Sequence, residues 1–389
     1  MRQFFLLAIL TFTLGAFAQK DFQIVTGPYL QAVTDTEATV VWTTSKQAVS
    51  WVELAPDDST HFYNEARPRY YNLSLGKKLI GTIHRVRLQH LEPGKKYRYR
   101  IYSQEVIEEQ ASDVLYGKTI ASQIFRSKPF LFQTLDKQKS SFSFLTVNDI
   151  HEKNDLLKSL LGNISKEKVD FVFYNGDMVN NMQTPEKILN GFLNLSVEMF
   201  ASELPFYISR GNHETRGLTA GKFMDYFPTT TGKPYFTLEH GDTFFIVPDG
   251  GEDKPDTDIE YGGLAAYDQY RIEEQEWLKK VVQSEAFKSA KHKIVMMHIP
   301  PGGEDTWHGP VHISELFVPV LNGTGIDLML CGHIHRHNYY KDGVGGTDFP
   351  VLINAYKNKA RVDVSDDGLV VKSLNEQNKA EFEIKLQKR

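Results

Sequence analysis

Phe142-Ser143-Phe144-Leu145-Thr146-Val147-Asn148-Asp149-Ile150-His151 decides how this chain is read. An apolar run of strand length stops, and an acid and an imidazole follow at once. The same event recurs four times downstream. The run 169–174 leads to Gly176-Asp177, the run 205–208 to Gly211-Asn212-His213-Glu214, the run 293–297 to His298, and the run 326–330 to Gly332-His333-Ile334-His335. Helical stretches are predicted between several of these runs, at 154–168, 184–203 and 268–284. In the last, Gln275, Trp277, Leu278, Val281 and Val282 fit one buried stripe. Strands alternating with helices imply an α/β fold, with a hairpin over 236–248. In an open α/β sheet, ligand sites form at the C-terminal strand ends, so residues far apart in sequence should converge along one rim. The donors on offer are imidazole nitrogen, carboxylate oxygen and one amide oxygen. That mixture suits Zn, Mn or Fe better than an all-oxygen Ca or Mg cage.

The region before this one has a different rhythm. Val40 and Trp42 alternate with polar neighbours, Val86 and Leu88 oppose Arg85 and Arg87, and Tyr97, Tyr99 and Ile101 oppose Arg98 and Arg100. Period-two patterning in short runs predicts an all-β sandwich of about seven strands over 22–135. Within it, Leu91-Glu92-Pro93-Gly94-Lys95-Lys96-Tyr97 resembles the tyrosine corner of immunoglobulin-like and fibronectin type III domains, where the hydroxyl bonds to upstream backbone. A plain meander packed on the second domain is the alternative. The second domain is expected over 141–389. After residue 341 its tail returns to strands at 351–355, 360–364 and 369–374, with turn chemistry at 343–346 and Asp366-Asp367-Gly368.

The chain has 389 residues, 41% hydrophobic and 24% charged, an ordinary globular composition with room for two domains. A net charge of -5 gives no electrostatic reason to expect nucleic acid as a partner. Residues 1–18 read as a signal peptide: Arg2, an apolar stretch short of the ~20 residues a span requires, and the small-x-small site Ala16-Phe17-Ala18. Export to the periplasm, cell surface or medium is the expectation, with no later membrane span. The single cysteine, Cys331, sits in an apolar run and reads as a buried small hydrophobe.

The ordered set DIH, GD, GNHE, H, GHIH resembles the calcineurin-like metallophosphoesterases. With the sandwich in front, nearly all of the chain after the leader resembles the purple acid phosphatase branch. The resemblance implies a four-layer α/β/β/α metallophosphoesterase domain holding two metal ions (Zn, Mn or Fe). Asp149, His151 and His335 would hold one, Asn212, His298 and His333 the other, with Asp177 bridging. It implies hydrolysis of a small-molecule phosphate ester by a metal-bound hydroxide, the ions roughly 3.5–4 Å apart. His213, beside Asn212, is the expected contact to phosphate and leaving oxygen. Asp177, Asn212 and His213 are thus the expected catalytic residues. One position departs from the pattern. Where purple acid phosphatases carry an iron-ligating Tyr and many relatives an Asp, this chain has Asn180.

Substrate contacts are expected from Asn212 and His213, and from Arg210 and His308 nearby. Arg216, His312 and Trp307 are further candidates, with surface ion pairs or a capped loop as the plain alternatives. The acidic loop 249–260 reads as a solvated face. Of 13 histidines, His61, His84, His90, His240 and His292 are assigned to scaffold or surface. A phosphomonoesterase is the favoured reading, a phosphodiesterase on the same metal core the runner-up, and a catalytically silent surface-binding module the alternative from another class.

Overall fold

The computed structural model describes residues 21–122, 128–302 and 307–387. The proposed leader, 1–18, lies outside them. The N-terminal β-rich domain is organised by one long strand, Ala38–Pro56. Its first half pairs with Ile24–Gln31 on one side and Ile80–Leu88 on the other, and its second half with Lys96–Glu109 and Arg69–Tyr71. The register slips between Thr43 and Ala48, where Ser45-Lys46-Gln47 surfaces between two buried stretches. This break lets one strand serve two groups of partners, and Val40, Trp42, Val52, Val86, Tyr99 and Ile101 meet in a single core. With Val114–Ala121 and Phe130–Gln133 these strands make one hydrogen-bonded set of seven, and Leu73–Ser74 pairs with Lys77–Lys78 apart from it. Tyr97 Oη accepts from the backbone N–H of Glu92 at 2.9 Å, the upstream bond its sequence context suggested.

His84, fully buried beside Trp42, shares a hydrogen bond of 2.9 Å with Thr44 through Nε2. Burial pushes its imidazole down from 6.5 to about 3. The folded state therefore keeps it neutral, while the unfolded chain takes up a proton below about 6.5. Its contribution is fully present above that pH and is lost as pH falls toward 3, at up to about 1.4 kcal/mol per unit. Melting temperature between pH 7 and 4 should fall less steeply in His84→Gln than in the native protein. Parallel slopes would remove His84 as the cause.

Two six-stranded sheets make the second domain. One runs Phe206–Ser209, Phe171–Asn175, Phe142–Val147, Lys359–Ser365, Gly368–Leu374, Ala380–Gln387. The other runs Phe236–His240, Thr243–Val247, His292–Met296, Leu328–Cys331, Val351–Ile353, Asn338–Tyr340. The strands that precede the five clusters run parallel to one another within each sheet. Alternation explains why these strands are apolar throughout. Phe144, Phe171, Phe173, Ile294, Met296, Leu328 and Leu330 meet between the sheets. Leu145, Val147, Val172 and Tyr174 turn to helices on one outer face, and Val295, Met297, Met329 and Cys331 to helices on the other. A strand covered on both faces has no polar alternate. The outcome is the four-layer α/β/β/α arrangement, with Cys331 buried.

The helices depart from expectation in detail. The first is split at Gly162 into Asn154–Leu161 and a single turn, Ile164–Lys166. In Tyr267–Gln283 the buried stripe is Arg271, Glu274, Leu278, Val281 and Val282. Two charges thus occupy positions where only apolar or amide side chains were anticipated. The two domains are tied by side chains reaching across: Tyr29 Oη to Tyr226 O at 2.8 Å, Tyr99 Oη to Ser202 O at 2.6 Å, and Tyr207 Oη to Val33 O at 2.7 Å.

Candidate metal centre

All five clusters lie just beyond the C-terminal ends of parallel strands, and the two sheets bring them to one edge. The backbone there is unusual. Asp149, His151, Asp177, His333 and His335 all have φ between +48° and +72°. A non-glycine residue in this region costs roughly 1–3 kcal/mol, so five together mark a backbone bent to aim side chains rather than to minimise strain. Two glycines make the approach possible. A Cβ on Gly176 would strike the His298 ring, and one on Gly211 would strike Asp177.

Asp149 Oδ1 lies 3.1 Å from His335 Nε2, which faces His151 Nε2 at 3.2 Å. Asp177 Oδ2 lies 3.1 Å from His298 Nε2 and 3.8 Å from His213 Nε2. Asn212 Oδ1 lies 3.2 Å from His333 Nδ1. Asp149, Asp177, Asn212 and His298 form a buried floor, and His335 rises half-exposed above it. Ligand atoms of Asp149, His151 and His335 converge on one point and those of Asp177, His298 and His333 on another. Asp149 Oδ1 and His298 Nε2 are buried without a well-formed hydrogen bond, the state of atoms directed at a cation. Burial alone would lower the His298 imidazole, yet the charges of Asp177 and Asp149 raise it to about 10. Burial likewise opposes the Asp177 carboxylate, but His298 and His213 hold it well below the ordinary range. A site that attracts a proton this strongly attracts a divalent cation for the same reason. The residues fit a dinuclear centre.

The parts that orient these groups were only partly visible in the sequence. Asn148 donates to Asp149 Oδ2 at 2.6 Å and continues into a buried amide chain through Asn354, Ser373 and Asn358. The C-terminal strands thereby brace a floor residue. Glu214, fully buried, accepts four backbone N–H groups, from Asp177, Met178, Val179 and Gly211, at 2.8–3.2 Å. His213 Nδ1 lies 2.8 Å from the backbone oxygen of Asn180, so that N–H donates to it and Nε2 is left to face the centre. The side chain of Asn180 turns instead to Glu152 at 3.1 Å. Its side chain is not the partner of His213; its carbonyl is.

A cleft of about 400 Å³ opens over the cluster, walled by His213, Arg216, Asp253 and Trp307. A larger cavity of about 700 Å³ lies between the domains among Lys96, Asp170 and His240, near the N-terminal strand ends and away from the clusters. Two expected substrate contacts are engaged elsewhere. Arg210 is paired with Asp249 at 2.5 Å and 2.9 Å, and His308 with Asp268 at 2.6 Å. Neither lines the cleft. His312 stacks on His308 and also faces Asp268. Arg216 does line the cleft, but Glu252, Asp253 and Glu260 surround it.

The first part of the acidic loop, 249–253, is not a solvated face, whereas 254–260 is half-exposed to exposed as expected. Asp249, Glu252 and Asp253 are at most 1% exposed, because Arg210 and Arg216 pair with them, while Arg271 bonds the loop carbonyls of Gly250 and Glu252. Glu274 accepts from Asp249 N and Gly250 N. The clue available beforehand was the pair of arginines flanking GNHE. Asp253, which the motifs do not include, faces Asn212 at 3.4 Å. Burial and the neighbouring Glu252 push its carboxyl up to about 7.

Residues 142–337 match the calcineurin-like phosphoesterase family. The chain belongs to the calcineurin-like phosphoesterases. Residues 26–119 of this phosphoesterase match the N-terminal domain of purple acid phosphatases. No curated protein matches the chain. Among solved structures, purple acid phosphatase PPD1 from yellow lupin seeds is similar over 92% of this chain and 74% of its own, at 15% identity and a TM-score of 0.64, which supports the two-domain fold. GAP50, the anchor in the inner membrane complex of Plasmodium, aligns with 64% of this chain and 90% of its own, at 15% identity and a TM-score of 0.48. Among the described residues no helix is long and apolar enough to cross a membrane. The protein thus joins a calcineurin-like phosphoesterase domain to a domain matching the N-terminal domain of purple acid phosphatases.

Proposed function

We propose that this phosphoesterase is exported and hydrolyses small phosphate monoesters with two metal ions of the Zn, Mn or Fe type. The observation that carries the reading is the convergence of seven donors on a buried floor under one open cleft. Asp149, His151 and His335 would hold one ion, Asn212, His298 and His333 the other, and Asp177 both. The ions, when bound, supply an activated water and neutralise charge on the phosphoryl oxygens. The chain's own residues do the rest. His213, its Nδ1–H fixed by the Asn180 carbonyl, presents Nε2 to the leaving oxygen and in its protonated form donates there. Asn212 lies beside it, positioned to contact the phosphate. Glu214 keeps the loops bearing Asp177 and Gly211 in register. The leader pattern of residues 1–18 supports export.

The test is hydrolysis of p-nitrophenyl phosphate against bis-p-nitrophenyl phosphate with added Mn or Zn. The monoester should turn over faster, and chelation with dialysis should abolish activity until metal returns. A faster diester would move the assignment to a phosphodiesterase, and undiminished activity after chelation would end the two-metal reading. Asn180 offers no phenolate, so the iron-loaded protein should lack a visible phenolate-to-iron band. Such a band, lost on substituting a tyrosine, would show that another residue takes the ligand position.

A further inference from the structure

We propose that Trp307 is an aromatic wall that selects phosphate esters whose leaving group carries a flat π ring. The inference rests on the phosphoesterase reading above and names the substrate class. Trp42 and Trp51 are buried, whereas Trp307 is 44% exposed and lines the cleft over the donor cluster. An indole left at the mouth of a polar cleft gives up burial that a ligand ring would restore. It is also held in place. Its ring lies 6.4 Å from that of His333 with the planes at 71°, and Lys254 Nζ sits 5.4 Å from its centroid. Glu260, 2.6 Å from that ammonium, anchors the cation in turn. A pre-positioned indole offers stacking at little entropic cost.

The remaining charged walls carry both signs, Asp253 on the one hand and Arg216 and Arg336 on the other. Arg216 is surrounded by three carboxylates, one of them Asp253 on the same rim. The Arg216 charge is thus engaged, and a rim of mixed sign does not by itself select a strongly anionic leaving group. What it offers beyond the phosphoryl site is a π face. A cleft of about 400 Å³ has room for a phosphate and one ring system, since small-molecule pockets start near ~300 Å³. His213, facing the leaving oxygen, shares this cleft with Trp307, so the alcohol departs within reach of the indole.

The experiment uses pairs that differ in ring size or presence while keeping the type of leaving oxygen. Adenosine 5′-monophosphate is set against ribose 5-phosphate, and 1-naphthyl phosphate against phenyl phosphate, with Mn- or Zn-loaded protein. The native enzyme should favour the first of each pair in kcat/KM by about tenfold, the scale of one ring stacking on an aromatic side chain. The ratios should fall toward one in Trp307→Leu and survive largely in Trp307→Phe. A second reading is fluorescence: adenosine 5′-monophosphate should quench emission in the native protein that is absent from Trp307→Phe. Preference for adenosine alone would identify a nucleobase-bearing substrate; preference in both pairs, a general aromatic one. Ratios near one in the native enzyme, or ratios unchanged in Trp307→Leu, would overturn the aromatic wall and leave the phosphoesterase standing. No turnover of any of the four would remove both.

Discussion

Replacing Asp177 with Asn is expected to cut kcat/KM by about 10³-fold or more while the protein stays folded. The side chain sits where both halves of the donor cluster meet, 3.1 Å from His298 Nε2 and 3.8 Å from His213 Nε2. Its second oxygen accepts the His213 backbone N–H at 3.0 Å. An amide is nearly isosteric, so it still fits beneath Gly211, where no larger contact is tolerated, and its oxygen still accepts that N–H. What it removes is the charge. His298 loses the partner that overcomes its burial, and no anionic oxygen remains to be shared between two cations. Metal content measured beside the rate separates the causes. Loss of at least one ion per chain, with a cooperative melting curve shifted downward but still that of a folded protein, is the expected pattern. Native turnover in Asp177→Asn would show that Asp177 does not join the two halves of the centre.

The sequence made the clustered residues easier to read than what holds them. Asp149, Asp177, Asn212, His298 and His333 could be read because each follows an apolar run, and the fold turns that one-dimensional regularity into a shared edge. The covering of both faces of Phe142–Val147 and Leu328–Cys331 was equally plain, since a strand with no polar alternate has to be enclosed. The fate of Arg210, His308 and the acidic loop was hidden for a physical reason. Whether a charged residue faces water or a buried counter-charge depends on what the fold sets opposite it, and Arg210 finds Asp249 across 39 positions. Arg271 and Glu274 were obscured in the same way, because a helix stripe with two ions reads as exposed until the loop against it is known. Asn180 is the instructive case. An Asn side chain offers His213 no charged partner, and the group that orients it is a main-chain carbonyl, which every residue type carries.

Glu214→Ala should destabilise the protein by about 3–5 kcal/mol and weaken metal binding as well. The carboxylate is 1% exposed and forms no ion pair with a basic side chain among the described residues. Burial and the charge of Asp177 raise its carboxyl above the ordinary range, so its place has to be justified by something else. That is the set of four N–H groups from two loops: one oxygen takes Asp177 and Gly211, the other Met178 and Val179. Truncation leaves all four donors without their acceptor in a space closed by Gly211, and the backbone of Asp177 loses what pins its φ of 54°. Glu214→Gln is the sharper probe. It keeps the volume but presents an NH₂ to one donor pair, so it should recover only part of the loss. Urea unfolding gives the stability, and metal titration gives the affinity. If Glu214→Ala melts like the native protein, these hydrogen bonds do not hold the loops. If stability falls while metal affinity is untouched, Glu214 serves the fold and not the centre.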